Sequence, residues 1–366
     1  MRVVLTGAAG FLGWHTRVRM HAQGEHEVVA VTRDEWADLH ALVRNADAVL
    51  HVAGVNRGSD DEVEAGNVRL AEDVAAAVRA AGHPVRVVYA NSIQDGNGTA
   101  YGTGKASGAG VLGALRTEGH TVVDVRLPNL FGEHGRPRYN SFVATFVHAV
   151  AAGDVPQVAD RPVELLHVQD AAQVLLDALT TDAERLDPHG SEVGVQETLD
   201  LLREFEESYS SGEFPDLSTP FRVALFNTYR AALFPTGYPL PLQPHADARG
   251  TFVETVRSRG GEGQSSISTT VPGVTRGEHY HLTKIERFAV VQGRATIALR
   301  RMFHDEVVEF EVSGEAPCAV DMPTGWAHNI TNTGDDVLLT QFWSHELFRP
   351  DAPDTFPHPV AQEVGA

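Results

Sequence analysis

The fold of the first half of the chain is decided by the stretch Val3-Val4-Leu5-Thr6-Gly7-Ala8-Ala9-Gly10-Phe11-Leu12-Gly13. Its β-branched start predicts a buried strand, and its glycines predict a tight turn from that strand into a helix. Glycines let the backbone approach a ligand, so that a pyrophosphate can rest at the N-terminus of the helix. An ordinary strand–helix turn is the alternative interpretation. The residues expected to contact a dinucleotide are Gly7, Gly10, Phe11, Leu12 and Gly13.

The alternation of strand and helix continues to about residue 180. Short β-branched runs recur at residues 28–32, 48–52, 85–90 and 122–127. Segments with helical spacing lie between these runs, and such alternation predicts a parallel sheet with helices on both faces. Residues 181–234 are expected to be mainly helical. The pattern therefore indicates an α/β Rossmann domain.

The second half of the chain has a different residue pattern. Four prolines between residues 235 and 244 mark a boundary, because proline does not fit inside a helix. Beyond them, runs rich in Thr, Val and Gly alternate with turn signals, which predicts an all-β barrel or sandwich. We therefore expect a Rossmann domain at residues 1–240 and an all-β domain at residues 241–366.

Composition restricts the partners and the compartment. The formal net charge of −20 argues against nucleic acid and anionic membranes as partners. The single cysteine, Cys318, excludes an intramolecular disulfide and fits a reducing compartment. No apolar stretch is long enough to span a bilayer, and Met1-Arg2 leads directly into a strand, which leaves no room for a signal peptide. We expect a cytoplasmic protein.

The end of the second strand bears on the choice of cofactor. A dinucleotide site presents an acid there to the ribose 2′-hydroxyl, or a cation to a 2′-phosphate. Here the run 28–32 is followed by Arg33 and then Asp34. We interpret Arg33 as a ligand of NADP(H). The alternatives are a solvated turn and a ribose contact through Asp34.

A possible proton-transfer pair opens the helical segment that begins near residue 101. Tyr101 and Lys105 are four residues apart, which places both side chains on one helix face. An ammonium group beside a phenol is expected to lower the phenol's pKa, and such a phenol can exchange a proton with a carbonyl oxygen. Ser92, at the end of a predicted strand, would supply a second hydrogen bond. The spacing alone also occurs by chance.

Together these motifs resemble a known family. The glycine loop, His51-Val-Ala-Gly54, Ser92 and the Tyr101/Lys105 pair resemble the extended short-chain dehydrogenase/reductases. Further stretches resemble the bifunctional capsular polysaccharide enzymes that reduce a UDP-2-acetamido-2,6-dideoxy-hexos-4-ulose on the route to N-acetyl-L-fucosamine. These stretches are residues 51–57, 91–94, 128–132, 139–141 and 160–165.

The resemblance implies roles for individual residues. It gives Ser92, Tyr101 and Lys105 the catalytic roles, and it implies a homodimer. It adds Ala53 and Lys105 to the cofactor contacts, and Asn129, Asn140 and Arg161 as candidate contacts of the sugar nucleotide. Turn, cap or solvated-loop roles are the alternatives for these last three. The sequence departs from the family in the short gap between Ser92 and Tyr101, and in Gly104, where serine is common.

Four ligand-type residues cluster in the second half. His279 and His281 are alternate residues of a predicted strand, so their side chains face the same way. Glu286 and His328 could complete a set of three imidazoles and one carboxylate, which suits Zn²⁺, Mn²⁺ or Fe²⁺. The spacing resembles that of the cupin superfamily, a jelly-roll fold. We expect one divalent ion, with zinc favoured; satisfied core histidines are the alternative.

A second resemblance competes with metal binding. The stretch Asp247–Glu254 and the stretch Arg276-Gly-Glu-His279-Tyr280 resemble the dTDP-4-keto-6-deoxyglucose 3,5-epimerases, which work without metal. That resemblance implies that His279 is a base and that Arg249 and Glu254 contact the sugar nucleotide. We favour metal ligation because His281 and Glu286 fit only the metal pattern. Lys284 is then an alternative base or a solvated lysine.

The two halves predict one reaction sequence. A 4-keto sugar has an acidic C3–H, and the resemblance implies that the cupin epimerises C3 before the Rossmann domain reduces C4 with NADPH. Three alternatives remain open. The first is a reductase for another nucleotide sugar, with a cupin that only dimerises; the others are an NADP(H)-sensing scaffold and a cupin dioxygenase fused to a dehydrogenase.

Overall fold

The structure is a computed structural model that describes residues 1–361. The chain divides into two compact units, and each is described by itself. The first unit comprises Met1–Phe142 and Asp160–Gly194, and the second comprises Val143–Ala159 and the residues from Val195 onward. The helices of the chain are α1 (Phe11–Gln23), α2 (Leu39–Val43), α3 (Asp60–Ala81), α4 (Ala100–Gly113), α5 (Phe142–Ala151), α6 (Val168–Asp177), α7 (Val195–Ser210) and α8 (Pro220–Leu233).

The first unit is built on a parallel sheet. Its strands are β1 (Arg2–Thr6), β2 (Glu27–Val31), β3 (Ala48–His51), β4 (Arg86–Ser92), β5 (Thr121–Leu127), β6 (Asn129–Phe131), β7 (Pro162–His167), β8 (Arg185–Leu186) and β9 (Ser191–Gly194). Six strands form one sheet in the order β2-β1-β3-β4-β5-β8, and all its pairings are parallel. Strands β6, β7 and β9 form a small separate sheet. The prediction of a Rossmann-like α/β domain is confirmed.

Both faces of the parallel sheet are buried. Val3 and Leu5 belong to one core cluster with the apolar face of α6, whereas Val4 belongs to another with α3. Near-continuous apolar strands are expected when helices cover both faces of a sheet. Because the strands are parallel, the loops that follow β1, β3 and β4 all lie at the same edge.

The helix α3 begins at a complete capping box. The side chain of Ser59 accepts a hydrogen bond from the backbone of Glu62, whose carboxylate in turn accepts one from the backbone of Ser59. This arrangement satisfies two amide groups that a helix start otherwise leaves unpaired. It fixes the end of the loop that connects β3 to α3, and that loop lies at the carboxyl edge of the sheet.

The second unit contains two antiparallel sheets. Its strands are β10 (Phe214–Asp216), β11 (Leu240–Pro241), β12 (Pro244–Asp247), β13 (Gly250–Val253), β14 (Ser258–Gly260), β15 (Gln264–Thr270), β16 (Thr275–Tyr280), β17 (Glu286–Gln292), β18 (Arg294–Arg301), β19 (Val307–Ser313), β20 (Cys318–Met322), β21 (Trp326–Asn332), β22 (Leu338–Ser344) and β23 (Phe356–Pro357). The sheet orders are β11-β20-β17-β22-β15 and β19-β18-β21-β16-β23. The all-β prediction is confirmed.

The core of the second unit lies between these sheets. Phe288 and Val320 from the first sheet join Ile297 and Ile330 from the second in one buried cluster. Side chains that interdigitate from two inner faces are typical of sandwiches and barrels. No helix among residues 1–361 is long and apolar enough to cross a membrane.

Two observations bear on the predicted domain boundary near residue 240. The antiparallel sheets begin at Leu240, at the predicted boundary, whereas α7 and α8 group by contacts with the second unit. The boundary at residue 240 stays a prediction. The expectation that residues 181–234 are mainly helical is confirmed by α7 and α8, although the short strands β8, β9 and β10 also lie in this segment.

Candidate active site and metal centre

The glycine loop, residues 7–13, has no room for side chains at Gly7 and Gly13. Gly7 has a φ of +68°, and a Cβ there would lie 2.8 Å from the Cα of Ala53. A Cβ on Gly13 would lie 2.0 Å from the carbonyl oxygen of Gly7. Gly10 precedes α1 and offers no side-chain cap, so the first-turn amides of α1 have no side-chain acceptor at that position. The loop can therefore expose those amides to an anion.

The hydroxyl of Thr6 ties this loop to the one after β3. It lies 3.2 Å from the backbone nitrogens of Val52 and Ala53, which both donate to it. It also lies 2.8 Å from Nδ1 of His51. Burial, followed by the charge of Lys105, lowers the pKa of His51 to about 3. His51 is therefore neutral at physiological pH and holds the two loops together by hydrogen bonding.

The turn after β2 is organised by Glu35, which the sequence reasoning did not single out. Its carboxylate accepts hydrogen bonds from the backbone of Thr32 at 2.9 Å and from the Thr32 hydroxyl at 2.6 Å. These bonds lower the pKa of the Glu35 carboxyl. Arg33 and Asp34 are both exposed. Because Glu35 is engaged with Thr32, the exposed charges at this strand end are those of Arg33 and Asp34.

Ser92 and Tyr101 meet at the edge of the sheet. Ser92 ends β4 and Tyr101 lies in the first turn of α4, and their side chains are hydrogen bonded. Burial raises the pKa of the Tyr101 phenol, and the hydrogen bond with Ser92 opposes that shift. The expected lowering of this pKa was therefore wrong for the protein without ligand. A raised pKa keeps the proton on Tyr101.

Lys105 lies one helical turn after Tyr101 in α4 and is almost completely buried. Its Nζ donates to the carbonyl oxygen of Ala90 at 2.7 Å and lies 4.4 Å from the ring centroid of Tyr89. Burial lowers the pKa of Lys105 to about 8, and the charges of Asp124 and Asp95 oppose that shift. The lysine therefore keeps most of its positive charge near pH 7, although its ammonium binds the backbone and not the phenol.

The helix packing explains why Gly104 departs from the family. Helices α3 and α4 lie against each other, and a Cβ on Gly104 would be 2.9 Å from the carbonyl oxygen of Glu64. It would also be 3.1 Å from the Cα of Glu64. Real Cβ atoms do not approach backbone atoms this closely, so a serine would require the helices to separate. The glycine is therefore a packing requirement of this chain.

The three candidate substrate residues of the first unit have different surroundings. Asn129 donates from Nδ2 to the carbonyl oxygen of Glu164 at 3.2 Å. This bond links β6 to β7 and is a structural role. Asn140 is exposed in a turn, and Arg161 is exposed just before β7. Their contact with a sugar nucleotide stays a prediction.

A cationic cluster that sequence reasoning missed lies near Asn140. The guanidinium carbons of Arg57 and Arg136 lie 5.5 Å and 5.3 Å from the ring centroid of Tyr139. Arg57 also donates to the carbonyl oxygen of Arg138 at 3.4 Å. Two guanidinium groups beside one aromatic ring suit an anionic ligand. Arg57 belongs to a stretch that carries the family resemblance, whereas Arg136 lies outside those stretches, and the spacing gives no sign that the two arginines meet.

The four predicted metal ligands converge in the second unit. Their ligand atoms all lie within 4.8 Å of one another. Oε2 of Glu286 lies 3.1 Å from Nε2 of His281, 3.3 Å from Nε2 of His328 and 3.8 Å from Nε2 of His279. Burial alone would raise the pKa of Glu286, but the charge of His281 and the hydrogen bonds of the imidazoles hold it well below its ordinary value.

A β-bulge sets the direction of His279. The register between β16 and β21 shifts between Gly277 and His279, where Gly277 has a φ of +103° and Glu278 a φ of +59°. A bulge bends a strand and can redirect the next side chain toward a site. Glu278 pairs with Asn329, whose Nδ2 donates to its carboxylate at 2.8 Å. The alternation argument therefore predicted residues that do converge, but it missed the bulge, and it placed His281 in a strand that ends at Tyr280.

Backbone carbonyls fix the protonation of two imidazoles. Nδ1 of His281 lies 2.5 Å from the carbonyl oxygen of Asp354, and Nδ1 of His328 lies 3.1 Å from that of Trp326. Because a carbonyl oxygen only accepts, both Nδ1 atoms carry hydrogen. The Nε2 atoms then face the Glu286 carboxylate, and either a proton or a metal ion between nitrogen and oxygen satisfies both. Burial lowers the pKa of His328 to about 4, which disfavours a proton as that cation. The donor set therefore fits a divalent metal.

Arg249 and Glu254 do not join this cluster. Arg249 bonds to Asp247 at the tip of the β12–β13 hairpin, with Nη2 and Oδ2 2.5 Å apart. Glu254 pairs with Arg257 at 2.6 Å. Lys284 is neither solvated nor aimed at the histidines, since its Nζ donates to the carbonyl oxygen of Pro353 at 2.8 Å. The assignment of Arg249 and Glu254 to substrate binding stays a prediction.

Comparisons with known proteins agree with this architecture. Residues 3–194 match the NAD dependent epimerase/dehydratase family, and residues 245–356 match the polysaccharide biosynthesis C-terminal domain. The UDP-2-acetamido-2,6-beta-L-arabino-hexul-4-ose reductase of Pseudomonas aeruginosa is 34% identical over 97% of this chain and 98% of its own. The spore coat polysaccharide biosynthesis protein SpsL of Bacillus subtilis is 29% identical over 31% of this chain and 81% of its own.

Solved structures show the same likeness. The capsular polysaccharide assembling protein CapF from Staphylococcus aureus has a TM-score of 0.64 and 34% identity, covering 98% of this chain and 100% of its own. A UDP-N-acetylglucosamine 4-epimerase from Bacillus cereus has a TM-score of 0.54 over 65% of this chain and 97% of its own. Its 18% identity means that this second likeness concerns the fold alone.

Proposed function

This chain belongs to the NAD dependent epimerase/dehydratase family, and from that premise we propose that it is a bifunctional enzyme of capsular polysaccharide synthesis. Its second domain epimerises C3 of a UDP-2-acetamido-2,6-dideoxy-4-keto-hexose, and its first reduces the C4 ketone with NADPH. The observation that supports the reductase activity is the contact between Ser92 and Tyr101, with buried Lys105 one turn farther along the same helix. The similarity to the Pseudomonas aeruginosa reductase over nearly the whole chain supports the sugar.

The residues of the first domain have distinct roles in reduction. When bound, the nicotinamide supplies a hydride to C4. Tyr101 donates a proton to the C4 oxygen, and its raised pKa keeps that proton available. The Ser92 hydroxyl forms hydrogen bonds with the C4 oxygen and with the Tyr101 phenol. The charge of Lys105 stabilises the phenolate that remains after the proton is donated.

The cofactor site is assigned from the loops at the edge of the sheet. The amides at the start of α1 receive the pyrophosphate, and Gly7, Gly10 and Gly13 allow the close approach that this requires. Arg33 binds the 2′-phosphate of NADPH. Its exposure, together with the engagement of Glu35 by Thr32, supports this assignment. Ala53 is also assigned to the cofactor site. The resemblance of His51-Val-Ala-Gly54 to the extended short-chain dehydrogenase/reductases supports this assignment.

We assign the second domain to the cupins. Two antiparallel five-stranded sheets and a buried cluster of three histidines and one glutamate support this assignment. The residues that would hold a divalent cation, with zinc favoured, are His279, His281, Glu286 and His328. A cation there supplies a Lewis acid that polarises a ketone. The protein's part is to hold the four ligand atoms and to keep Nδ1 of His281 and of His328 protonated.

The remaining assignments concern the substrate and the assembly. Arg57 and Arg136 beside Tyr139 support binding of the UDP diphosphate near Asn140. A homodimer and a cytoplasmic location complete the proposal. The homodimer rests on the family resemblance, and the location rests on the single cysteine and on the sequence of the first residues.

Product analysis tests the proposal directly. The full chain is incubated with NADPH in deuterated water, with either a UDP-linked or a dTDP-linked 4-keto sugar, and the products are analysed by mass spectrometry. We expect reduction at C4 and one deuteron at C3 with the UDP-linked 2-acetamido sugar. Reduction without deuterium at C3 would support the alternative, a reductase whose second domain only dimerises. An absence of reduction with every sugar would refute the reductase assignment.

A further inference from the structure

A segment near the end of the described chain runs beside strand β16, which carries His279 and is followed directly by His281. We call residues 353–360 the C-terminal strap. Its strand β23 pairs with β16, so that Pro357 lies opposite His279 and Phe356 opposite Tyr280. The strap also packs its Phe356 ring 5.5 Å from the ring of Tyr280, which is completely buried. The strap is therefore part of the sheet that carries His279 and His328.

Asp354 holds the chain that follows His281. Its carboxylate accepts hydrogen bonds from the backbone nitrogens of Leu282 and Thr283, both at 2.9 Å. It accepts another from the backbone of Lys284 at 2.7 Å and one from the Thr283 hydroxyl at 2.9 Å. With a φ of +40°, Asp354 adopts a conformation that L-residues rarely adopt and that its surroundings must stabilise. These bonds place its carbonyl oxygen against Nδ1 of His281.

The other end of the strap holds the bulge that precedes His279. The carbonyl oxygen of Glu278 accepts a hydrogen bond from the backbone of His358 at 2.8 Å. Its carboxylate accepts one from the backbone of Val360 at 2.6 Å. Glu278 is the bulge residue with positive φ, so these two bonds stabilise the turn that directs His279 toward the cluster.

Two buried cations fix the strap in place. Lys284 donates from Nζ to the carbonyl oxygen of Pro353 at 2.8 Å and to the Thr355 hydroxyl at 2.9 Å. Arg300 donates from Nε to the carbonyl oxygen of Val360 at 2.5 Å. Lys284 and Arg300 are only 8% and 5% exposed. Such buried bonds resist fraying, which a terminal segment without them would undergo.

We propose that the C-terminal strap is a positioning element for the metal site, and that it acts mainly through Asp354. This inference rests on the proposed metal binding. The Asp354 carboxylate fixes the backbone of residues 282–284, and the Asp354 carbonyl fixes His281 with Nε2 free for the metal. Outer-shell partners of a metal-bound histidine affect metal affinity by roughly 10–100-fold. Asp354 should have an effect of that size although it does not touch the metal.

Metal affinity of full-length variants tests this role. Asp354→Ala should weaken Zn²⁺ about 10–100-fold, measured by competition with a chromophoric chelator. Asp354→Asn keeps one acceptor oxygen and should recover part of the affinity. Asp351→Ala is the matched control, because Asp351 is exposed and lies three positions before Asp354. We expect that control to bind Zn²⁺ like the unmodified protein.

A second readout separates positioning from general stability. In the Co²⁺-loaded protein, Asp354→Ala should alter the visible d–d absorption, which reports ligand geometry, whereas Asp351→Ala should not. A folded Asp354→Ala variant with unchanged Zn²⁺ affinity and unchanged Co²⁺ spectrum would overturn the proposal. If Asp354→Ala does not fold, Lys284→Met, which releases Pro353 and Thr355, takes its place with the same expected outcomes. Failure of the unmodified protein to bind any metal would refute the metal site itself.

Discussion

Nε2 of His281 and Oε2 of Glu286 lie 3.1 Å apart, while Nδ1 of the same imidazole donates to a backbone carbonyl. A cation between these two atoms stabilises the pair, and either a proton on Nε2 or a metal ion can be that cation. The convergence of all four ligand atoms within 4.8 Å of one another favours a metal ion over an isolated pair of core residues.

The first prediction concerns metal content. The purified chain should contain about one divalent ion, and either His281→Ala or His328→Ala should abolish stoichiometric binding, because each removes a ligand from a closed set. Elemental analysis by mass spectrometry measures this. His304→Ala, at an exposed histidine of the same unit, is the control and should retain the metal. A protein without stoichiometric metal would favour His279 as a free general base.

The second prediction concerns the cofactor. Arg33→Ala should weaken NADPH binding about tenfold or more and spare NADH, because a charge-assisted hydrogen bond contributes roughly 1.5–3 kcal/mol. Fluorescence titration of both cofactors measures the change. Asp34→Ala, at the exposed neighbour, is the control and should leave NADPH binding intact. Equal losses of NADPH and NADH in Arg33→Ala would refute the assignment of Arg33 to the 2′-phosphate.

The third prediction concerns the packing of α4 against α3. Gly104→Ala should lower the free energy of unfolding by about 1–3 kcal/mol, because its methyl group would overlap the backbone of Glu64. Gly110→Ala is the matched control in the same helix. A Cβ there meets nothing within 4 Å, so it should stabilise the protein by roughly 0.5–1 kcal/mol. Denaturant unfolding compares the two, and equal effects would contradict the packing argument.

Much of the fold could be predicted from local patterns. The run predicted at 122–127 corresponds to a strand at Thr121–Leu127, because its β-branched residues Val122, Val123 and Val125 are buried in the core. The short strands within residues 181–234 were harder to predict than the two helices. The strand Arg185–Leu186 has only two residues, too few to produce a periodicity, and its pairing with β5 depends on residues far away in the chain.

For the candidate site, too, residues close in sequence could be predicted, whereas contacts between residues distant in sequence could not. Spacing alone pointed to His279, His281 and Glu286 as one cluster, although a bulge and a strand that ends at Tyr280 replace the regular alternation it assumed. It could not predict Asp354, which lies 73 positions from His281 and meets it only through the folded sheet. The direction of the Tyr101 pKa shift was also missed, because burial outweighs the influence of a lysine whose ammonium binds the carbonyl oxygen of Ala90.

The central claim is that the chain carries two separable activities. Tyr101→Phe removes the proton donor to the C4 oxygen, so NADPH-dependent reduction should fall by roughly 10²–10⁴-fold. The substitution leaves the histidine cluster of the second unit unchanged. The most direct measurement is therefore C3 exchange by Tyr101→Phe, given the UDP-linked 2-acetamido-4-keto sugar in deuterated water and followed by mass spectrometry. The account predicts incorporation of one deuteron at C3 at the rate of the unmodified protein, whereas no exchange above the uncatalysed background would contradict it.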